Sequence, residues 1–457
     1  MSCIDTIQVL IIGGIRIMSN KPEHKKIGFW DCMSLSIGQI IGSGVMVLTG
    51  IVIGLTGHGA PYGYIVGALL TLCLSVPFIL LSSTIPASGV GYNSVKRLVG
   101  DRAAFLFIGM FILSQVLIAT FAKGFASYFV AVVPSANETV VAMAALILCT
   151  VVNIIGLQTS AKVQNGMIVL LLVSLALFIA FGLPKVNWYE LRPEIGNIMP
   201  NGAQSFFTGA VLLSFACGGA HFIAENGDDI EDAPHTIPKV IILSTSIVAV
   251  FYALVGCIAA GVLPVETVAF ENLTHVAQEI FPTWLYYFFV IGGAWFALLS
   301  TLNGTLSWVT RGLQAAARDG WLPEKAAEEN KHGVPVILLG VFFIMGAIPI
   351  LTGMDLTTIS NMGIGTDMLS TFLILMACWN LPKRVPDLWE KSQFHMSETA
   401  LHVVLVIMVI LTLASSYVNF ADLDTVSLIA CGIYIVALIV YTMVRYKYVA
   451  SKSASRD

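Results

Sequence analysis

Two glycine clusters interrupt apolar stretches at their middles. One is Gly42-Ser43-Gly44, with residues 37–41 before it and 45–48 after it, and the other is Cys217-Gly218-Gly219. If both stretches are membrane helices, each cluster frees backbone N–H and C=O groups in hydrocarbon, where only protein, water or a bound solute can satisfy them. The segment that resumes near Val45 then presents a helix N-terminus at mid-bilayer, whose free N–H groups and positive dipole end suit a carboxylate. The segment that ends near Phe215 presents free carbonyls, which suit an ammonium group. Opposite helix ends brought together select a zwitterion, and paired breaks in the two halves of a many-span chain point to the central site of a secondary transporter. Close helix packing is the other use of Gly-Ser-Gly in membrane helices. Two clusters in corresponding half positions favour the binding site.

The elements that must hold these breaks are read from composition. With 57% hydrophobic and 11% charged residues in 457, the chain lacks the polar cover of a soluble domain and is expected to be an all-α membrane protein. Net charge is near neutral, so nucleic acid is not an expected partner. Twelve apolar segments of spanning length are expected, at 27–55, 60–85, 101–134, 140–158, 161–183, 202–227, 239–263, 283–318, 334–352, 356–381, 399–418 and 426–447. If the first starts inside, all but Lys123, Lys185 and Arg192 of the 23 Lys and Arg residues fall on the inner side, so both termini are expected in the cytoplasm. Residues 7–18 are apolar but too short to cross, and the basic run after Met18 (Lys21, His24, Lys25, Lys26) looks like a cytoplasmic start, which marks 1–17 as an overextended beginning. A surface-lying helix is the alternative there. The eight cysteines sit in or against apolar stretches without metal-ligand spacing, so free thiols and no metal site are expected.

The stretches IGSGVMVLTG, FACGGAHFIAENGDDIEDAPHTIPK and RGLQAAARDGWLP resemble signatures of the amino acid-polyamine-organocation superfamily of permeases. The resemblance covers 27–447, and it implies a LeuT-like fold of two inverted five-helix repeats with two helices appended. The expected organisation is a cytoplasmic segment 1–26, a first repeat 27–200, a second repeat 201–381, two further spans in 382–448 and a cytoplasmic tail 449–457. By the resemblance, Ser43 and Gly44 would hold the substrate carboxylate, carbonyls of Ile40, Phe215 and Gly218 would receive the amine, and Gly42 and Gly219 would belong to the same substrate site. Phe215 would also gate the site from the outer side, with Gln115 of the third span and Thr305 of the eighth facing the pocket. A core phenylalanine, an interhelical amide bond and an ordinary membrane threonine are the plain readings of these three residues.

Departures from the family pattern bear on how transport is energised. Where many relatives carry an acidic residue after the glycine pair, this chain has His221, which is either a pH-sensitive coupling residue or a neutral core histidine. Some relatives carry a fifth-span lysine in place of bound sodium; the matching position here is Leu171, so coupling through that lysine is not expected. Ser300 and Thr301 could join first-span carbonyls in a sodium site, or simply bond their own backbone. Proton coupling, sodium coupling and ion-free exchange stay open, and no other cofactor is expected. Lys123 could line an outer vestibule or snorkel, and Asp367 could belong to a polar network. Glu225, with Asp228, Asp229, Glu231 and Asp232, forms an acidic run that could contact Arg97, Arg102 or Arg311 as a gate.

Competing classes fare worse. An aspartyl intramembrane protease needs Gly-x-Gly-Asp, and Thr366 intervenes before Asp367; no His-Glu-x-x-His occurs. A channel is disfavoured by the absence of charged rings or a repeated filter. A non-transporting amino-acid sensor would share the site but usually carries a soluble output domain, for which the short loops leave no room. The expectation is a permease of the plasma membrane, in a bacterium the inner membrane, acting as monomer or homodimer. A neutral amino acid is the favoured substrate and a cationic amino acid or polyamine the runner-up; Glu225 and Asp367 would matter to that choice if they reach the pocket.

Overall fold

The computed structural model describes Lys26, 28–42, 44–87, 89–155, 157–193, 198–225, 227 and 230–454. Every element among these residues is helical, and ten helical stretches are long and apolar enough to cross a bilayer. The first, Phe29–Thr84, is 56 residues long, far more than the ~20 that one crossing needs. It is not one rod. Helix α1 (Phe29–Ile40) ends at the first glycine cluster, a π turn over Gly44–Leu48 leads into α2 (Thr49–Thr56), and a short turn at Gly57–Gly59 delivers the chain to α3 (Ala60–Thr84). Gly57 makes that turn with φ 56°, a left-handed value that a β-carbon disfavours. The turn falls between the first two expected segments, 27–55 and 60–85. A third expected segment, 334–352, forms a helix of only 16 residues, Val336–Leu351.

Around the broken first helix stand α4 (Val90–Leu98), α5 (Asp101–Ser114) and α6 (Ile118–Val132), the last two joined by a tighter turn at Gln115–Leu117. After α7 (Glu138–Ile155) and α8 (Leu157–Gly182), α9 (Gly202–Cys217) stops at the second glycine cluster, and a 3-10 segment over Ala220–Glu225 follows. Then come α10 (Ala233–Gly261), α11 (Phe296–Trp308), α12 (Thr310–Arg318), α13 (Val336–Leu351) and α14 (Leu356–Trp379). The chain closes with α15 (Glu398–Ala421) and α16 (Thr425–Ala454).

Helix α3 lies along both α9 and α10. Gly67 lets the first pair touch through their backbones, since a β-carbon there would sit 2.8 Å from the Ala210 carbonyl oxygen and 2.9 Å from the Ser214 nitrogen. The two ends of the bundle are fastened differently. At the end rich in Lys and Arg, Asp319 accepts from Lys96 Nζ and from the Tyr92 hydroxyl, each at 2.7 Å, and Arg318 pairs with Glu329 at 3.0 Å. At the opposite end the segment 270–273 is stitched down mainly by backbone groups. The Phe270 N–H donates to Gly50 O (2.8 Å), Asn272 Nδ2 donates to Ser127 Oγ (2.7 Å), and the Leu273 N–H donates to the Tyr128 hydroxyl (3.1 Å).

Candidate functional site

The two breaks adjoin. A β-carbon on Gly44 would lie 2.4 Å from Ala216 Cα, so the start of the π turn touches the end of α9 with nothing between. Gly219, at φ 114°, folds the second break back against α1, where a β-carbon would come within 3.2 Å of the Gln39 carbonyl oxygen. Gly42 faces α11 instead. A β-carbon there would fall 1.7 Å from Thr301 Oγ1.

Breaking a buried helix leaves carbonyls to satisfy. Fully buried tyrosines from three helices surround the first break, two of them donating to its carbonyls. Tyr252 of α10 donates to Ile40 O at 2.9 Å, and Tyr128 of α6 donates to Met46 O at 2.8 Å. Tyr64 of α3 meets the Thr49 hydroxyl at 2.5 Å, and Thr49 Oγ1 also lies 2.5 Å from Val45 O. The second break is satisfied more locally. The Gly218 N–H donates to Phe215 O (3.0 Å), the Phe222 N–H donates to Gly219 O (3.1 Å), and the Thr71 hydroxyl reaches Ser214 O at 2.6 Å.

The adjoining breaks line a cavity of about 110 Å³. Backbone of Gly44, Ala216, Gly218 and Gly219 forms one wall, and Gln115, Phe215, Thr305 and Asp367 face it from the rest of the bundle. Gln115 Nε2 donates to Ser114 Oγ at 3.1 Å and is otherwise buried against the space. Ile40 lines the cavity as well, but its carbonyl oxygen already accepts from the Gly42 N–H and from Tyr252, which leaves no lone pair for an amine. The expectation that Ile40 receives the amine is corrected on that ground. Ser43, Asp228, Asp229 and residues 1–25 lie outside the described residues.

A second cavity of about 50 Å³ continues toward the Lys/Arg-rich end and shares Phe78, His221, Phe222, Trp308, Asp367 and Thr371 with the first. Four of these form a row of rings. His221 packs between Phe78 and Phe222 at centroid distances of 4.7 and 4.3 Å, and Phe222 lies 4.0 Å from Trp308. Glu225 faces the second cavity, not the first; it accepts from the Gly91 N–H at 3.3 Å and lies near enough to Arg311 for their charges to attract. Neither of the other two arginines has a contact to Glu225 among the described residues, and Arg102 stacks on Tyr446 at 3.8 Å. Asp232 pairs with His235 at 2.7 Å.

Other expected residues fall away from the cavity. Lys123 donates to the Met354 carbonyl ahead of α14, so it anchors a loop and lines neither cavity. Ser300 and Thr301 both donate to Ala297 O, at 3.0 and 2.9 Å, the self-bonding expected of membrane hydroxyls. Thr301 still borders the cavity and Ser300 does not. Leu171 is buried in the core.

The sequence reading missed the three tyrosines, Thr71, Ser75, Phe78 and Trp308. Thr71, Ser75 and Phe78 recur at three- and four-residue spacing on α3, which is a legible face, whereas nothing local marks the tyrosines, whose partners stand far away in the chain.

The sequence pattern of the amino acid permease family matches residues 27–451. The chain is 27% identical over 398 residues to the branched-chain amino acid permease BcaP of Bacillus subtilis (strain 168), covering 80% of this chain and 83% of that protein. It is 28% identical over 362 residues to the large neutral amino acids transporter small subunit 2 of Oryctolagus cuniculus (74% and 66% covered). To the Asc-type amino acid transporter 1 of Homo sapiens it is 26% identical over 366 residues (74% and 67% covered). These relatives are transporters and not enzymes. A match across nearly the whole bundle, on a chain whose two broken helices enclose a cavity, makes this protein a member of the amino acid permease family, within the amino acid-polyamine-organocation superfamily.

Proposed function

We propose that the chain carries neutral amino acids across a bacterial inner membrane by alternating access. The substrate's α-carboxylate meets N–H groups at the start of the π turn, at Gly44, together with the Ser43 hydroxyl. Its α-ammonium meets the carbonyl end of α9 at Phe215 and Gly218, and its side chain points to Gln115, Phe215 and Thr305. The observation that carries this reading is the adjacency of the two breaks, Gly44 against Ala216, at the wall of a cavity. The opposed dipole ends of two half-helices suit the two charges of an amino acid. A mostly apolar lining and relatives named for branched-chain and large neutral amino acids support a neutral side chain.

The same reading has the chain crossing the bilayer twelve times, with Phe29–Thr84 crossing twice and Val336–Leu351 as a short crossing. The repeats 27–200 and 201–381 relate by inversion in a LeuT-like fold, and each opens with a broken helix. Both termini lie in the cytoplasm, following the distribution of Lys and Arg. The test is uptake of labelled leucine into proteoliposomes, competed by each unlabelled amino acid, with sodium and pH gradients varied separately. Competition by branched-chain and large neutral amino acids but not by lysine or putrescine is expected. Competition by lysine or putrescine alone refutes the neutral assignment.

A further inference from the structure

We propose that Asp367 is the group that carries a coupling proton, and that it does so from a position shared by the two cavities. The proposal rests on the transport reading above and names the ion that drives it. Asp367 lines both the central cavity and the one beyond the ring row, so water entering from either side can reach the same carboxyl. Among the described residues no hydrogen bond or ion pair reaches its carboxylate. The two neighbouring hydroxyls are turned elsewhere: Ser370 and Thr371 donate to the Asp367 backbone carbonyl, at 2.8 and 3.1 Å. An unpaired ionised carboxylate inside a membrane protein is costly, whereas the neutral acid is tolerated. The residue is therefore at ease when protonated and loses its proton where a cavity admits water.

The groups around it, His221 apart, leave that role to Asp367. His221, Glu225 and Tyr92 are the other titratable residues on the two cavities. Glu225 is held by the Gly91 amide and lies near Arg311, and Tyr92 bonds to Asp319, which Lys96 also occupies. His221 is the remaining competitor: its ring faces pack on Phe78 and Phe222 while its nitrogens lie in the ring plane, so His221→Gln is the control that separates the two residues. Of the charged groups on helices packed against α14, Arg102 stacks on Tyr446, Arg445 donates to Gly320 O, and Lys123 is spent on Met354. His402 stacks on Trp379, the last residue of α14. No Lys or Arg stands between Lys162 and Lys185 on α8. A sodium ion would need several oxygens, and here the neighbouring hydroxyls face backbone while aromatic rings fill much of the surround. The step is a simple transfer: the carboxylate takes a proton from hydronium on one side, an O–H bond of hydronium breaking as the acid O–H forms and water is released, and on the other side the acid O–H breaks and a water molecule takes the proton away as hydronium.

The full chain, reconstituted with a pH dye inside the vesicles, tests this with leucine as the probe. In the unmodified protein, external leucine is expected to drive proton entry, and an inward proton gradient to drive leucine accumulation without sodium. Asp367→Asn is expected to lose both. Leucine uptake by the unmodified protein without proton movement, or proton entry that survives Asp367→Asn, overturns the proposal. Loss of coupling in His221→Gln but not in Asp367→Asn overturns it too, as does a variant that changes only the preference between lysine and leucine. Should Asp367→Asn show no leucine/leucine counterflow, Asp367→Glu is expected to restore proton-driven uptake with a shifted pH profile, and its failure to do so counts against the assignment. An unmodified protein that exchanges no amino acid sinks the transport reading itself.

Discussion

The two helix breaks look alike in sequence and are held in unlike ways. At the first, Tyr252, Tyr128 and the Tyr64–Thr49 pair bring hydroxyls from three other helices to the interrupted stretch. At the second, turns within the chain itself and the single hydroxyl of Thr71 suffice, and the strand of backbone beyond runs straight into the row of rings. The first break is thus fixed by the surrounding bundle, while the second is fixed chiefly by its own residues. If the first break is the carboxylate-binding end proposed above, its N–H groups must stay aimed, which needs rigid neighbours. An end that leads to the barrier between two cavities can tolerate looser ties.

Substitutions can break this contrast, beginning with the largest effect. Gly44→Leu pushes a side chain into Ala216 and is expected to abolish leucine binding while insertion into the membrane stays normal, measured by scintillation proximity on purified protein. Normal binding would contradict the site. Tyr252→Phe leaves the Ile40 carbonyl short of its buried donor and is expected to cost about 1–3 kcal/mol, read as a lower unfolding temperature in detergent. Thr71→Val, the corresponding change at the second break, is expected to cost about 1 kcal/mol, and a larger loss than for Tyr252→Phe would invert the contrast.

Asp355, which caps α14 away from both breaks, gives the baseline. Its partial burial pushes the carboxyl up, but hydrogen bonds from the Thr358 hydroxyl and N–H pull it further down, below its ordinary value. A depressed value means that the cap contributes above the unfolded value and fades as pH falls through the folded one. Asp355→Ala is therefore expected to cost up to about 1 kcal/mol at neutral pH and less below about pH 4, followed by thermal unfolding across pH.

How far the sequence could be read depended on whether a residue's role is local. A glycine at the middle of an apolar run announces a break because no neighbour is needed to infer the freed backbone, and Gly44, Gly218 and Gly219 do line the cavity. Gln115, Thr305 and Asp367, polar residues in apolar surroundings, also reach it. Lys123 was ambiguous for the same reason, since a long flexible cation can serve a vestibule or a loop carbonyl, and Met354 decided the matter. The tyrosines were invisible because a phenol in a membrane helix reads as one more apolar ring, and its partner, as for Tyr252 and Ile40, sits in a distant part of the chain.

Tyr128 carries a consequence of its own. Its one oxygen gives a hydrogen bond to Met46 and receives one from the Leu273 amide, so it knots the stretch after the first break to the segment that covers the end opposite the basic one. Parting those two pieces breaks at least one of these bonds, whichever way the phenol goes, and leaves Met46 O or the Leu273 N–H for water to satisfy.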